Sequence, residues 1–127
     1  MTDKKVEAAI AYCRAWLECD KENFLSLLAP NIVVVECYGP EYRGMQECED
    51  WFTDWHVRGG KVLAWDIKRA GAYDDGVCLK WYFECLWEGQ VTGFDGITLF
   101  DFDAQGRIVR IEEYQSKTDH IRPYMKD

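Results

Sequence analysis

The sequence predicts an α+β domain in which a cone-shaped, curved antiparallel sheet wraps around N-terminal helices. Three observations predict it. Helical periodicity fills most of the first sixty residues, and period-two alternation broken by glycine turns runs on to about residue 115. Rows of large aromatic rings lie on the strands of that second half. Helices first and hairpins afterwards is the order of a domain whose helices cover one sheet face. The 127 residues contain no linker and read as one domain, 1–127, with a core over about 5–115 and a polar tail over 116–127.

Each element has its own signal. From Lys4 to Cys19, Val6, Ala9, Ile10, Cys13, Trp16 and Leu17 recur at three- and four-residue spacing, which makes an amphipathic helix. Tyr12 lies one turn from Ala9 and Trp16, at the edge of that stripe. Asp20 is placed to cap a short second helix carrying Phe24, Leu25, Leu27 and Leu28, with Pro30 as its stop. A strand through Ile32–Val35 reads as buried on both faces and ends at Glu36, before the Gly39-Pro40 turn. Met45 to about Val57 is a third helix with Cys48, Trp51, Phe52 and Trp55 on its apolar side, closed by Gly59-Gly60.

The remainder alternates. Leu63, Trp65 and Ile67 share one side of a strand over Lys61–Ala70, and a turn follows at Tyr73–Gly76. Val77, Leu79, Trp81, Phe83, Cys85 and Trp87 form the clearest row in the chain. After Gly89, the strand over Thr92–Phe102 carries Phe94, Gly96, Thr98, Phe100 and Phe102 in register. A loop ending in Gly106 leads to a last strand, Arg107–Gln115, whose inward row is Val109, Ile111 and Glu113.

Glu36 is the residue on which a functional reading turns. It follows Ile32 and Val34 in one period-two row and therefore points inward. A carboxyl in apolar surroundings has its charged form disfavoured, which suits it to proton transfer near neutral pH. Six Trp and seven Tyr need either a solid core or an aromatic cavity, and so many indoles favour the cavity.

Composition excludes several classes. A net charge of −8 with scattered basic residues opposes binding to nucleic acid or an anionic membrane surface. No signal-peptide pattern or bilayer-length apolar run is present. The six cysteines lack Cys-x-x-Cys spacing, so reduced thiols in a cytoplasmic protein are expected, with no structural zinc. His56 ends a helix and His120 lies in the tail, neither at metal-ligand or catalytic spacing, so no metal or cofactor is expected.

The order of elements resembles the nuclear transport factor 2-like superfamily, with its cystatin-like fold, and within it the SnoaL-like and ketosteroid-isomerase-like branches. The resemblance rests on Tyr12 to Trp16 leading to Asp20, Val33 to Gly39, Gly44, Phe94-Asp95-Gly96, the Phe100 to Ile108 hairpin and Ile111 to Tyr114. It covers about Lys5 to Gln115. It implies that Tyr12 is an oxyanion-donating tyrosine and Glu36 the general base. The family's second, protonated-acid donor falls near Thr98, a departure, and Asp95 lies on the opposite face. Glu113 falls on the cavity row and would form a coupled pair with Glu36, one member strongly raised.

The ligand-facing set expected around Tyr12, Glu36 and Glu113 is Trp16, Trp51, Trp55, Trp81, Phe83, Trp87 and Thr98. The ligand class is a hydrophobic small molecule, and the resemblance implies a homodimer through the outer sheet face. Three functions fit: a proton-transfer enzyme of isomerase or cyclase type, a non-catalytic hydrophobic-ligand binder, or a dimeric interaction module with a filled interior. A raised Glu36 carboxyl favours the first, a ligand carried through purification without turnover the second, and a cavity too small for a ligand the third.

Overall fold

The computed structural model describes residues 3–125, so the first two residues of the expected domain and the last two of its tail lie outside the described residues. Helix α1 (Lys4–Leu17) starts at Asp3, whose carboxylate accepts from the Lys5 and Val6 N–H groups at 2.9 and 3.4 Å. Its buried residues are Ala9, Tyr12, Cys13, Ala15 and Trp16, so Tyr12 lies inside the stripe rather than at its edge, and Leu17, expected on it, is exposed at the helix end. The helix closes through Cys19 N–H to the Trp16 carbonyl and Asp20 N–H to the Ala15 carbonyl. This places Cys19 at φ +55, a conformation that usually selects glycine. Asp20 then caps α2 (Lys21–Ser26) by accepting from Asn23 N–H at 3.1 Å.

Pro30 does not end α2. The helix stops at Ser26, and Pro30 lies inside β1 (Leu28–Val35). The β1–β6 register is irregular between Leu28 and Val33, and a residue without an N–H is tolerated at such a break. Nor is β1 buried on both faces: Ile32 and Val34 are fully buried, whereas Val33 and Val35 are half-buried. A short strand that the periodicity does not reveal, β2 (Glu41–Arg43), returns after Pro40 and pairs antiparallel with β1, setting Tyr42 opposite Val34.

Helix α3 (Gly44–Val57) begins where the Glu47 carboxylate accepts from Arg43 N–H at 2.9 Å. It ends with Gly59 at φ +93, donating to the His56 carbonyl, and Gly60 donating to the Trp55 carbonyl. A Cβ on Gly60 would stand 2.5 Å from the Trp55 ring, so the missing side chain lets that indole lie against the backbone.

Strands β3 (Lys61–Tyr73), β4 (Gly76–Trp87), β5 (Gln90–Phe102) and β6 (Ile108–Ser116) complete a curved, unclosed six-stranded sheet of order β2-β1-β6-β5-β4-β3. The expectation of an all-antiparallel sheet needs one correction, because β1 and β6 run parallel. Two rows also shift. An irregularity between Val62 and Ala64 bulges Leu63 outward, so Val62 and Trp65 are the buried residues. Another between Asp101 and Phe102 puts Ile108 and Ile111, not Val109, into the core row of β6. The β4 and β5 rows stand as read.

Helices α1 and α3 lie against the sheet, α1 on β3 and β4 and α3 on β1 and β2. All six cysteines are free. Among the described residues no helix is long and apolar enough to cross a membrane.

Candidate active site

The helices and the concave sheet face enclose a cavity of about 510 Å³. Its walls include nine of the ten residues singled out from the sequence: Tyr12, Trp16, Glu36, Trp51, Trp55, Trp81, Phe83, Trp87 and Glu113. Thr98 is the exception and is a correction. It is fully buried, its hydroxyl accepts the Trp81 indole N–H at 2.8 Å, and it is not part of the cavity wall. The indole N–H finds its acceptor there, and it is the position of Thr98 behind the cavity wall that keeps its own hydroxyl from a ligand.

Tyr12 is held from below by packed rings, with Phe24 at 5.6 Å, Phe100 at 5.6 Å and Trp65 at 6.3 Å between centroids. Its hydroxyl is buried and has no hydrogen-bond partner, and the same is true of the Trp16 and Trp65 indole nitrogens. All three residues line the cavity. Orphaned donors of this kind cost on the order of 1–3 kcal/mol each when nothing accepts from them, so they are groups an acceptor atom would satisfy. Burial, followed by the charge of Glu113, pushes the Tyr12 hydroxyl well above its ordinary range despite an opposing pull from Trp16. It therefore remains a proton-bearing donor.

Glu36 sits one residue past β1, where its N–H donates to the Pro40 carbonyl at 2.9 Å. The turn delivers Tyr42 alongside, and the Tyr42 hydroxyl donates to Glu36 Oε1 at 2.8 Å. Burial raises the Glu36 carboxyl above the usual range, and the Tyr42 hydrogen bond partly opposes this. Glu113 faces the cavity from β6, directly opposite Thr98 across the β5–β6 ladder. Its side chain is half-buried at the cavity wall, and its carboxyl is pushed up to about 8, first by burial and then by the charge of Glu36. The surroundings of the two acids differ: both are raised by burial, but Glu36 accepts the Tyr42 hydrogen bond that favours its charged form, whereas Glu113 is raised further by the Glu36 charge.

The rim is aromatic. Tyr42 stacks on Trp51 at 4.4 Å and 12°, and Trp55 lies parallel to Trp87 at 5.6 Å and 2°. Cys37 and Cys85 also line the wall, but burial pushes the Cys37 thiol up to about 12 and raises that of Cys85, so neither is a thiolate nucleophile.

The histidines are elsewhere. His56 Nδ1 lies 2.7 Å from the Phe52 carbonyl, and its ring stacks on Trp16 outside the cavity wall. His120 is exposed in the tail. Among the described residues no group of three or more His, Cys, Asp or Glu side chains is placed to hold a metal ion.

Sequence reasoning missed Tyr42 and Trp65 as site residues. For Tyr42 the signal was present: a tight turn at Gly39-Pro40 folds the next residues back on β1, and a tyrosine opposite Val34 shares the face of Glu36. Trp65 was placed on an inward row, but its unpaired indole nitrogen depends on packing that no pattern encodes.

No curated protein matches the sequence. Solved structures do. An LEH-like epoxide hydrolase from M. tuberculosis superposes with a TM-score of 0.79 at 18% identity, over 89% of this chain and 83% of that one. A protein of ketosteroid isomerase-like fold from Catenulispora acidiphila, solved in complex with trimethylamine, gives 0.75 at 17% identity over 88% and 86%. A computationally designed 17-OHP binder gives 0.76 at 14% over 89% and 93%. At these identities the likeness is one of fold. The SnoaL-like domain model matches residues 9–111, most of the chain. With the cavity built on α1, α3 and the concave sheet, that match makes the chain a member of the SnoaL-like domain family, within the nuclear transport factor 2-like superfamily.

Proposed function

We propose that this protein is a proton-transfer enzyme of isomerase or cyclase type that acts on a hydrophobic carbonyl compound. The observation that carries this reading is the presence, in one aromatic cavity, of two carboxyl groups both raised by burial together with the unpartnered Tyr12 hydroxyl. Glu36 takes a proton from the carbon next to the carbonyl. Tyr12 and the protonated Glu113 donate to the oxygen as it gains negative charge. Glu36 then returns the proton to another carbon, or the enolate carbon attacks a second carbonyl within the same molecule and Glu36 returns its proton to the alkoxide that forms. Tyr42 is a positioning residue that orients Glu36.

Carbon-detected titration of the glutamate carboxyl groups tests this without a known substrate. With E36Q and E113Q variants for assignment, Glu113 is expected to titrate near 8 and Glu36 above the ordinary range. Both titrating at about 4.3 would remove the basis of the reading.

A non-catalytic binder is the second reading, favoured by the aromatic walls and by the designed 17-OHP binder that shares the fold. A cavity of about 510 Å³ counts against the interaction module with a filled interior. We further propose a homodimer that uses the outer sheet face, where Val33, Val35, Ile97 and Leu99 remain only half-buried. The six free thiols fit a reducing compartment, the cytoplasm.

A further inference from the structure

A buried indole N–H usually finds an acceptor, and Trp81 finds one in the Thr98 hydroxyl at 2.8 Å. Trp16 does not. It is 5% exposed, yet its Nε1 has no hydrogen-bond partner. The ring is gripped on several sides, with Phe52 at 4.5 Å, Trp51 at 4.6 Å, His56 at 5.3 Å and Phe24 at 5.4 Å between centroids. A phenylalanine would pack among those rings without stranding a polar atom. An N–H fixed in direction and left without an acceptor is a preorganised donor.

Its neighbour on the helix shows where it acts. Trp16 stands four residues after Tyr12 on α1, one turn further along the same face. Both side chains line the cavity, and the Tyr12 hydroxyl is orphaned too. Burial and then the Glu113 charge hold the proton on Tyr12; the Trp16 N–H, though not bonded to it, pulls the other way. An N–H has that effect only at short range, so the two donors open on one spot. We propose that Trp16 is the second oxygen donor of this site: its indole N–H and the Tyr12 hydroxyl hold one carbonyl oxygen of the ligand between them. That this carbonyl is the reacting one rests on the proton-transfer reading above; the clamp itself serves a binder equally. An indole N–H is uncharged and donates only, so the clamp fits a neutral ketone or ester and gives a carboxylate no counter-charge.

The probe is 2-acetylnaphthalene labelled at its carbonyl carbon, bound to the full chain. Infrared spectroscopy reads its carbonyl stretch, and nitrogen-edited NMR reads the Trp16 indole proton, assigned by its contacts with the Phe24 and Phe52 rings. The stretch should lie near its position in water rather than in hexane, and the Trp16 proton should move downfield. Y12F and W16F should each return the stretch part of the way to hexane and weaken binding about three- to tenfold, the worth of one hydrogen bond. A W16F that loses affinity with the stretch unmoved would show packing alone and overturn the proposal; so would an unmoved Trp16 proton, which decides the matter even where W16F fails to fold, or no binding of the ketone. Glu113 titrating near 8 with an unmoved Trp16 proton removes the clamp and leaves proton transfer standing. Both shifts present with both glutamates titrating at about 4.3 keep the clamp and remove proton transfer.

Discussion

Glu113 keeps its proton in the folded protein to about pH 8, whereas in the unfolded chain it releases it near 4.5. Between those values the folded state binds more protons, so stability falls as pH rises through that window and the loss is complete above the folded value. A shift of that size corresponds to on the order of 5 kcal/mol. E113Q should therefore match the parent protein near pH 4 and exceed it in stability at pH 9, as urea denaturation at the two pH values would reveal; equal slopes against pH would count against a buried acid. Removing the charge of Glu36 in E36Q should bring the Glu113 titration down from about 8, because that charge contributes to the rise. Y42F should move Glu36 further up, because it removes the hydrogen bond that opposes burial. The acid limb of a kcat/KM profile, or the carboxyl signal itself, would register the move. At this scale the sequence was informative wherever parity alone decides direction: Glu36, Glu113 and the β4 row all point where period two sends them. It was silent on Thr98, because the Trp81 N–H that occupies its hydroxyl comes from a neighbouring strand.

Elements were legible from periodicity and their ends from capping chemistry. Asp20 and Gly59-Gly60 act as their residue types suggest. Pro30 was read by its usual role as a helix stop, and the β1–β6 irregularity that admits it to a strand has no local signature. The bulges at Leu63 and Val109 are likewise set by neighbouring strands, and each overturned one row of alternation. Two substitutions probe the helix ends in opposite directions. Cys19 occupies a left-handed position on the surface, so C19G should stabilise the domain by about 0.5–1 kcal/mol. Gly60 is the converse case. A methyl group there meets the Trp55 ring at 2.5 Å, so G60A should lose about 1–3 kcal/mol and weaken any ligand that uses Trp55. Chemical denaturation measures both, and an unchanged G60A would mean that the indole can swing away freely.

The molecule as a whole is a half-open shell with helices on its concave side and a broad sheet surface on the other. If the convex face is the dimer contact, light scattering should give about twice the 14.9 kDa chain mass, and a charged residue at Ile97 should return the protein to monomer. The parallel pairing of β1 with β6 has a kinetic consequence. Hairpins β3–β4 and β4–β5 join neighbours in the chain and can form early, whereas Val35 must find Glu112 across nearly the whole domain. That closure is the entropically costly one. It is also the step that brings Glu36 and Glu113 to the same cavity, so the acid pair exists only in chains that have completed the slowest contact. A nascent chain, or one stalled before the last strand docks, carries two ordinary glutamates in water.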